Sequence, residues 1–171
     1  MELTPIIQQL FQAIETNDAT TMAVILDADP ALANQYNEDG LTPLGYAAHY
    51  GHLACVQLLL DHQAEINALS QSKVAFIPSN TALHAAIAGA RNLEIIQLLL
   101  TRGANTRIFD SNGHTCLHTA TFHDDNTEII QLLLEHGADV NASLNGGEIA
   151  LALAARQGNH KVADLLRTSE S

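Results

Sequence analysis

The sequence predicts an all-α solenoid, a single domain of about five stacked helix-turn-helix units with an atypical unit at each end. Three observations carry this reading. One block recurs along the chain, as VQLLLDHQAEIN from Val56, IQLLLTRGANTR from Ile96 and IQLLLEHGADVN from Ile130, with a broken-off copy, ADLL, from Ala163. A second block precedes each of these: TPLGYAAHYG from Thr42, TALHAAIAGA from Thr81, TCLHTATFHD from Thr115 and IALALAARQG from Ile149. Self-similarity at such a spacing marks a repeat array. The third observation is composition: 47% of residues are hydrophobic, yet only 4% are aromatic and none is Trp. A core of Leu, Ile, Val and Ala suits close helix packing.

In the first unit Leu10, Ala13, Met22, Ile25 and Leu26 occupy the apolar places of a helix pair. The second opens on Thr42 and Pro43, a hydroxyl N-cap followed by a proline whose missing N–H costs nothing at the first helical position. Its first helix runs about eight residues and ends at Gly51, and its second covers 53–61. Thr81 and Thr115 open the third and fourth units in the same way. Gly103 and Gly137 close the second helices, where a left-handed residue carries no penalty if it is glycine. Gln63 departs from that rule. Helices this short are marginal alone, so stacking must hold them. The leucine runs 58–60, 98–100 and 132–134 supply an apolar surface too wide for one hairpin to cover.

The pattern Asp-x-x-Gly-x-Thr-Pro-Leu-His-x-Ala-Ala, then Gly-His, Val-x-Leu-Leu-Leu and Gly-Ala-Asp-x-Asn, resembles the ankyrin repeat. The resemblance covers nearly the whole chain in units of about 1–36, 37–69, 70–109, 110–143 and 144–171, closest in the second and fourth. DPALAN, 29–34, is similar to a linker out of an N-terminal cap. Thr42 to Thr81 spans 39 residues against a usual period of ~33, so about six extra residues fall in LSQSKVAFIPSN, 69–80. The third and fourth units each carry one further residue, at AGARN and FHDDN, in the turn between paired helices.

Seven Lys and Arg against nineteen Asp and Glu give a net charge of −12. Residues 1–72 hold nine acids and no Lys or Arg. Such a field repels nucleic acid and anionic membranes and steers a basic partner inward. There is no basic leader and no apolar run of the ~20 residues a bilayer needs. Only Cys55 and Cys116 are present, in units two apart, with helices ~8–10 Å from each other. That is too far for a bridge, so both thiols are expected to be free and the chain cytoplasmic.

HTCLHTATFHDDN, 114–126, is dense enough in His, Cys and Asp to raise a metal-dependent enzyme as an alternative. Register argues against it. His84 and His118 fall on the histidine of the Thr-x-Leu-His element, where the resemblance implies a bond between neighbouring loops. His114 precedes the capping Thr115, Cys116 takes the proline place, and His123, Asp124 and Asp125 sit in a turn. No catalytic residue, metal or cofactor is therefore assigned. The resemblance implies instead a non-enzymatic module that binds a protein, here one with a basic surface, through a concave face of loop tips and first helices, and that is monomeric when free. Carried over position by position, its contacts are Glu38, Asp39, Leu41, His49 and Tyr50 in the second unit. The fourth contributes Ser111, Asn112, His114, Phe122 and His123, and the fifth Asn145, Glu148, Arg156 and Gln157. Phe76 and Ile77 join them from the insertion, which either covers the helices as a lid or projects as a finger. Tyr50 and Phe122 stand out as exposed aromatic anchors. An inhibitor or immunity-type protein that neutralises a basic enzyme or toxin is a sharper form of the same reading.

Overall fold

The structure is a computed structural model that describes residues 3–122 and 124–170. Its elements are ten α-helices and one 3₁₀ turn, and no strand occurs among the described residues. The pairs are α1 (Leu3–Glu15) with α2 (Ala19–Ala28), α3 (Pro43–Tyr50) with α4 (Leu53–Asp61), and α5 (Ala82–Ala88) with α6 (Leu93–Thr101). They continue with α7 (Cys116–Thr121) and α8 (Thr127–Glu135), then α9 (Ala150–Gln157) and α10 (His160–Thr168). First helices pack on first helices, α1 on α3, then α5, α7 and α9, and second helices on second helices from α2 to α10. Two layers result. The first helices and the loop tips ahead of them make the inner face used below, and the second helices make the outer one.

The core lies between the layers. Leu59, Leu99 and Leu133, the middle leucines of the three runs, are fully buried, as are Ile95, Ile96, Ile129 and Ile130. Leu100 is buried with them, and the other flanking leucines, Leu58, Leu60, Leu98, Leu132 and Leu134, are partly buried against the same cluster, as expected where each pair needs its neighbours to complete its burial. In the first pair Leu10, Ala13, Met22 and Leu26 are buried and Ile25 half-buried. The turn after α2, Pro30–Asn34, is a 3₁₀ turn started by Asp29, whose carboxylate accepts from the Ala31 N–H. Among the described residues no helix is long and apolar enough to cross a membrane.

The caps follow the sequence. Thr42 Oγ1 accepts from the Gly45 N–H at 3.0 Å. Thr81 and Thr115 form capping boxes in which His84 and His118 return a bond to the cap backbone. Gln63 takes φ +64° in the place that Gly103 and Gly137 fill elsewhere. The extra residues of the third and fourth units lengthen the inter-helix turns to 89–92 and 122–126, with Asn92 and Asn126 as new N-caps. Both cysteines are buried and free.

A ladder of asparagines ties the outer rim. Asn34 Oδ1 accepts from the Glu65 N–H and its Nδ2 donates to the Gln63 carbonyl. Asn67 repeats this with the Asn105 N–H and the Gly103 carbonyl. In the next unit Arg107 stands in for the asparagine and donates from Nε to the Gly137 carbonyl at 2.9 Å.

The candidate interaction face

The loop tips of the second, third and fourth units are each shaped by a side chain that accepts from the backbone ahead of it. Asn37 Oδ1 accepts from the Asp39 and Leu41 N–H groups, and Asp110 Oδ1 from those of Asn112 and His114. In the third unit Ser70 takes this place, its hydroxyl accepting from the Asn80 N–H at 2.9 Å. The insertion therefore lies between the two halves of one tip. It is bonded on both sides: the Gln71 and Lys73 N–H groups donate to the Gly40 and Asp39 carbonyls, and the Ser111 N–H to the Ser79 carbonyl. A Cβ at position 40 would lie 1.9 Å from the Gln71 carbonyl oxygen, so the approach of the tips requires Gly40.

The insertion is lid and finger at once. Ile77 and Pro78 are half-buried in the wall of a cleft of ≈ 330 Å³, whereas the Phe76 side chain is 85% exposed. Across the cleft stand Leu41, His49 and Tyr50. The structure thus brings five of the predicted contacts together: Leu41, His49, Tyr50, Phe76 and Ile77. Tyr50 is 41% exposed and sits in a ring cluster of its own unit, 5.0 Å from Tyr46 and stacked 5.9 Å from His52. Ala88 lines the same cleft. Burial, followed by its Tyr50 neighbour, holds the Tyr46 phenol well above the usual tyrosine range.

Glu38 and Asp39, both exposed, lie on the next cleft, ≈ 480 Å³ between the first two units, with Glu15, Phe11 and Tyr46. Further along, Ser111 and Asn112 are exposed at the fourth tip, and His114 is half-buried, 5.4 Å from both the His118 and Phe122 rings. Phe122 is 40% exposed, and His123 lies outside the described residues. In the fifth unit Asn145 and Gln157 are exposed, while Glu148 and Arg156 hold one another in a two-armed pair at 2.8 and 3.2 Å. That pair keeps the Glu148 carboxyl below its usual range. The predicted contacts among the described residues therefore form three groups, one around the first cleft, Glu38 and Asp39 on the second, and one along the fourth and fifth tips.

The histidines are held by backbone. His84 Nδ1 faces the Thr81 N–H at 3.4 Å and its Nε2 bonds the His114 carbonyl at 3.0 Å. His118 repeats this with Thr115 at 3.1 Å and Glu148 at 2.8 Å. Only the neutral ring with its proton on Nε2 satisfies both ends. Burial lowers the pKa of each ring below its ordinary value. With both nitrogens of His118 engaged, the 114–126 cluster has lost its central ligand to the loop bridge.

Lining residues that the sequence reading did not assign as contacts include Gly45, Tyr46, Ser70, Asn80, Ala85, Ala88 and Asp110. A signal existed in TPLG, where the second unit has glycine in place of histidine.

Charge completes the picture. All five arginines are ion-paired to carboxylates of this chain, Arg91 with Asp124, Arg102 with Asp61, Arg107 with Asp139, Arg156 with Glu148 and Arg167 with Asp164. Glu15, Glu38 and Asp39 have no ion-pair partner among the described residues, and neither cleft is lined by Lys or Arg.

Stacked helix pairs joined by bonded loop tips, with polar and aromatic side chains left open along one side, define a repeat scaffold rather than an enclosed reaction centre. The chain belongs to the ankyrin repeat family: the model for ankyrin repeats matches it in three copies, over residues 10–110, 65–144 and 83–171. Ankyrin repeats are in general protein-interaction modules. The chain is 35% identical over 105 residues to the mouse ankyrin repeat and SAM domain-containing protein 6, a match covering 61% of this chain and 11% of the relative. It is 36% identical over 99 residues to the ankyrin repeat protein YahD of Escherichia coli (strain K12), covering 57% and 47% respectively. It is also 36% identical over 87 residues to the Arabidopsis thaliana serine/threonine-protein kinase VIK, covering 51% and 18%. The matched stretch is thus less than half of each of these relatives.

Proposed function

We propose that this chain is a non-enzymatic module that grips the basic surface of another protein with the inner face of its first three units. The observation that carries this is the set of unmatched carboxylates, Glu15, Glu38 and Asp39, gathered beside Phe11 and Tyr46 in a chain whose arginines are all engaged internally. A cationic partner gains Coulomb attraction there without displacing an internal pair, and aromatic rings provide the apolar contact that anchors an interface. The same field disfavours nucleic acid.

The free chain is monomeric in this reading, and its two buried, unbridged thiols suit a reducing compartment such as the cytoplasm. Neutralising a basic enzyme or toxin is the sharper form, decided by whether the bound protein loses its activity. Capture from native lysate over a salt series tests the proposal, with wild type beside Glu38→Lys/Asp39→Lys, Tyr50→Ala and Phe122→Ala. Capture that weakens with salt and is lost in the charge-reversed variant is expected. Capture unchanged from low to high ionic strength would overturn the basic partner. Retention by Tyr50→Ala and Phe122→Ala together would move the contact off these rings.

A further inference from the structure

We infer that the cleft between α3, α5 and the 70–80 loop receives an arginine side chain of the partner, and that the glycine at position 45 opens it. This rests on the basic-partner reading above and names its point of entry.

The third and fourth units show what normally fills this place. Each His there reaches from its helix to the carbonyl just before the next cap, His84 to His114 at 3.0 Å and His118 to Glu148 at 2.8 Å. Gly45 stands at the same position, and the corresponding carbonyl is that of Asn80. The His114 carbonyl takes two donors, the Asp110 N–H and the His84 ring. The Asn80 carbonyl takes one, the Ser70 N–H at 2.9 Å. The missing ring leaves a flat space with an acceptor at its far end. Gly45, Thr42, Ser70, Asn80 and Ala85 all border the cleft of ≈ 330 Å³.

The surroundings select a cation. Tyr46, Tyr50 and Phe76 line the cleft, and aromatic faces attract positive charge. Asp110, only 7% exposed, also borders it. Its Oδ1 is occupied by two backbone N–H groups, while its Oδ2 accepts nothing among the described residues. No Lys or Arg competes within the lining. Guanidinium is planar like imidazole, carries N–H donors in its plane and stacks on rings. A lysine ammonium does none of these as well.

The test titrates N-acetylarginine amide into the ¹⁵N-labelled full chain at low salt, beside the lysine and citrulline amides. Saturable shifts at the Gly45, Ala85 and Ala88 amides are expected. Citrulline, equal in shape but uncharged, should bind about tenfold weaker, the scale of one charge-assisted hydrogen bond. Gly45→His should abolish the shifts and raise Tm, because the new ring fills the cleft and bonds Asn80. Thr42 Oγ1, 2.9 Å from the added Cβ, must rotate for this, toward the arrangement seen at Thr81. Should that variant not fold, Ala88→Leu decides, since it narrows the cleft from an exposed position and should likewise abolish binding. Lysine or citrulline amide binding as tightly as arginine amide, or undiminished binding by the folded filled variant, overturns the inference. Absence of saturable shifts in wild type that still shows salt-sensitive capture sinks this inference alone; salt-insensitive capture sinks the reading beneath it.

Discussion

Replacing His118 by Ala removes the bridge that joins the fourth unit to the fifth. The ring is 1% exposed, so its loss leaves a void that costs roughly 2 kcal/mol if the site collapses only in part. The Thr115 N–H, buried and 3.1 Å from Nδ1, loses an acceptor at a cost of about 1–3 kcal/mol. The Glu148 carbonyl adds little, because its residue is exposed and water can replace the donor. The sum is about 3–5 kcal/mol, a large share of the ~5–15 kcal/mol typical of a folded domain. Since helix pairs in such arrays contact only their neighbours, the damage should be local. Urea unfolding followed by circular dichroism should shift to lower denaturant, and amide exchange should quicken in α9 and α10 before α1 and α2. A loss under about 1 kcal/mol, or exchange that quickens first at the opposite end, would refute the bridge as the coupling between these units.

Two further outcomes follow from the same geometry. Burial lowers the folded-state pKa of His84 and His118, so their stabilising contribution is complete above the unfolded value of about 6.5. It is lost as pH falls from there toward the folded values. His62 acts oppositely: its bond to Asp27, together with the Leu58 carbonyl, raises its pKa, so its contribution is present at low pH and lost as pH rises through the folded value. In a His62→Gln background the urea midpoint should therefore fall between pH 7.5 and 5.5, and a flat profile would contradict neutral bridging rings. Gln63→Gly should stabilise by about 0.5–1 kcal/mol, because an L-residue at φ +64° carries a left-handed penalty that glycine relieves, less the added freedom of the unfolded chain. The Asn34 bond to the Gln63 carbonyl survives, being to backbone. An unchanged or lower Tm would refute this.

The helices were legible because each repeats its own punctuation. Thr42 with Pro43 and Gly51 bracket α3 by local chemistry alone, and the histidine register placed His84 and His118 where each bonds the carbonyl of the neighbouring loop. The insertion was only half legible, since nothing local says that Ser70 Oγ replaces an Asx side chain and holds two distant strands of backbone together. The ion pair of Glu148 with Arg156 was hidden for a similar reason: eight residues and a helix cap separate them, so no helical spacing suggests it. The cleft was missed because it is made by something absent from one copy of the repeat. A glycine inside a short helix reads as a weak helix former until its neighbours show which ring stands there in the other copies.

The outer asparagine ladder has a mechanical consequence. It runs from Asn34 through Asn67 to Arg107 and then stops, for Asn141, the next in register, bonds no residue of the last unit among those described. The final pair is moored instead on the other side, by Asn159 to the Thr121 carbonyl and by Asp125 to the Lys161 and Val162 N–H groups. Together with the His118 bridge to the Glu148 carbonyl at the loop tip, these bonds pin the last pair at its tip and at its inter-helix turn, whereas the pairs before it are also laced along the outer rim.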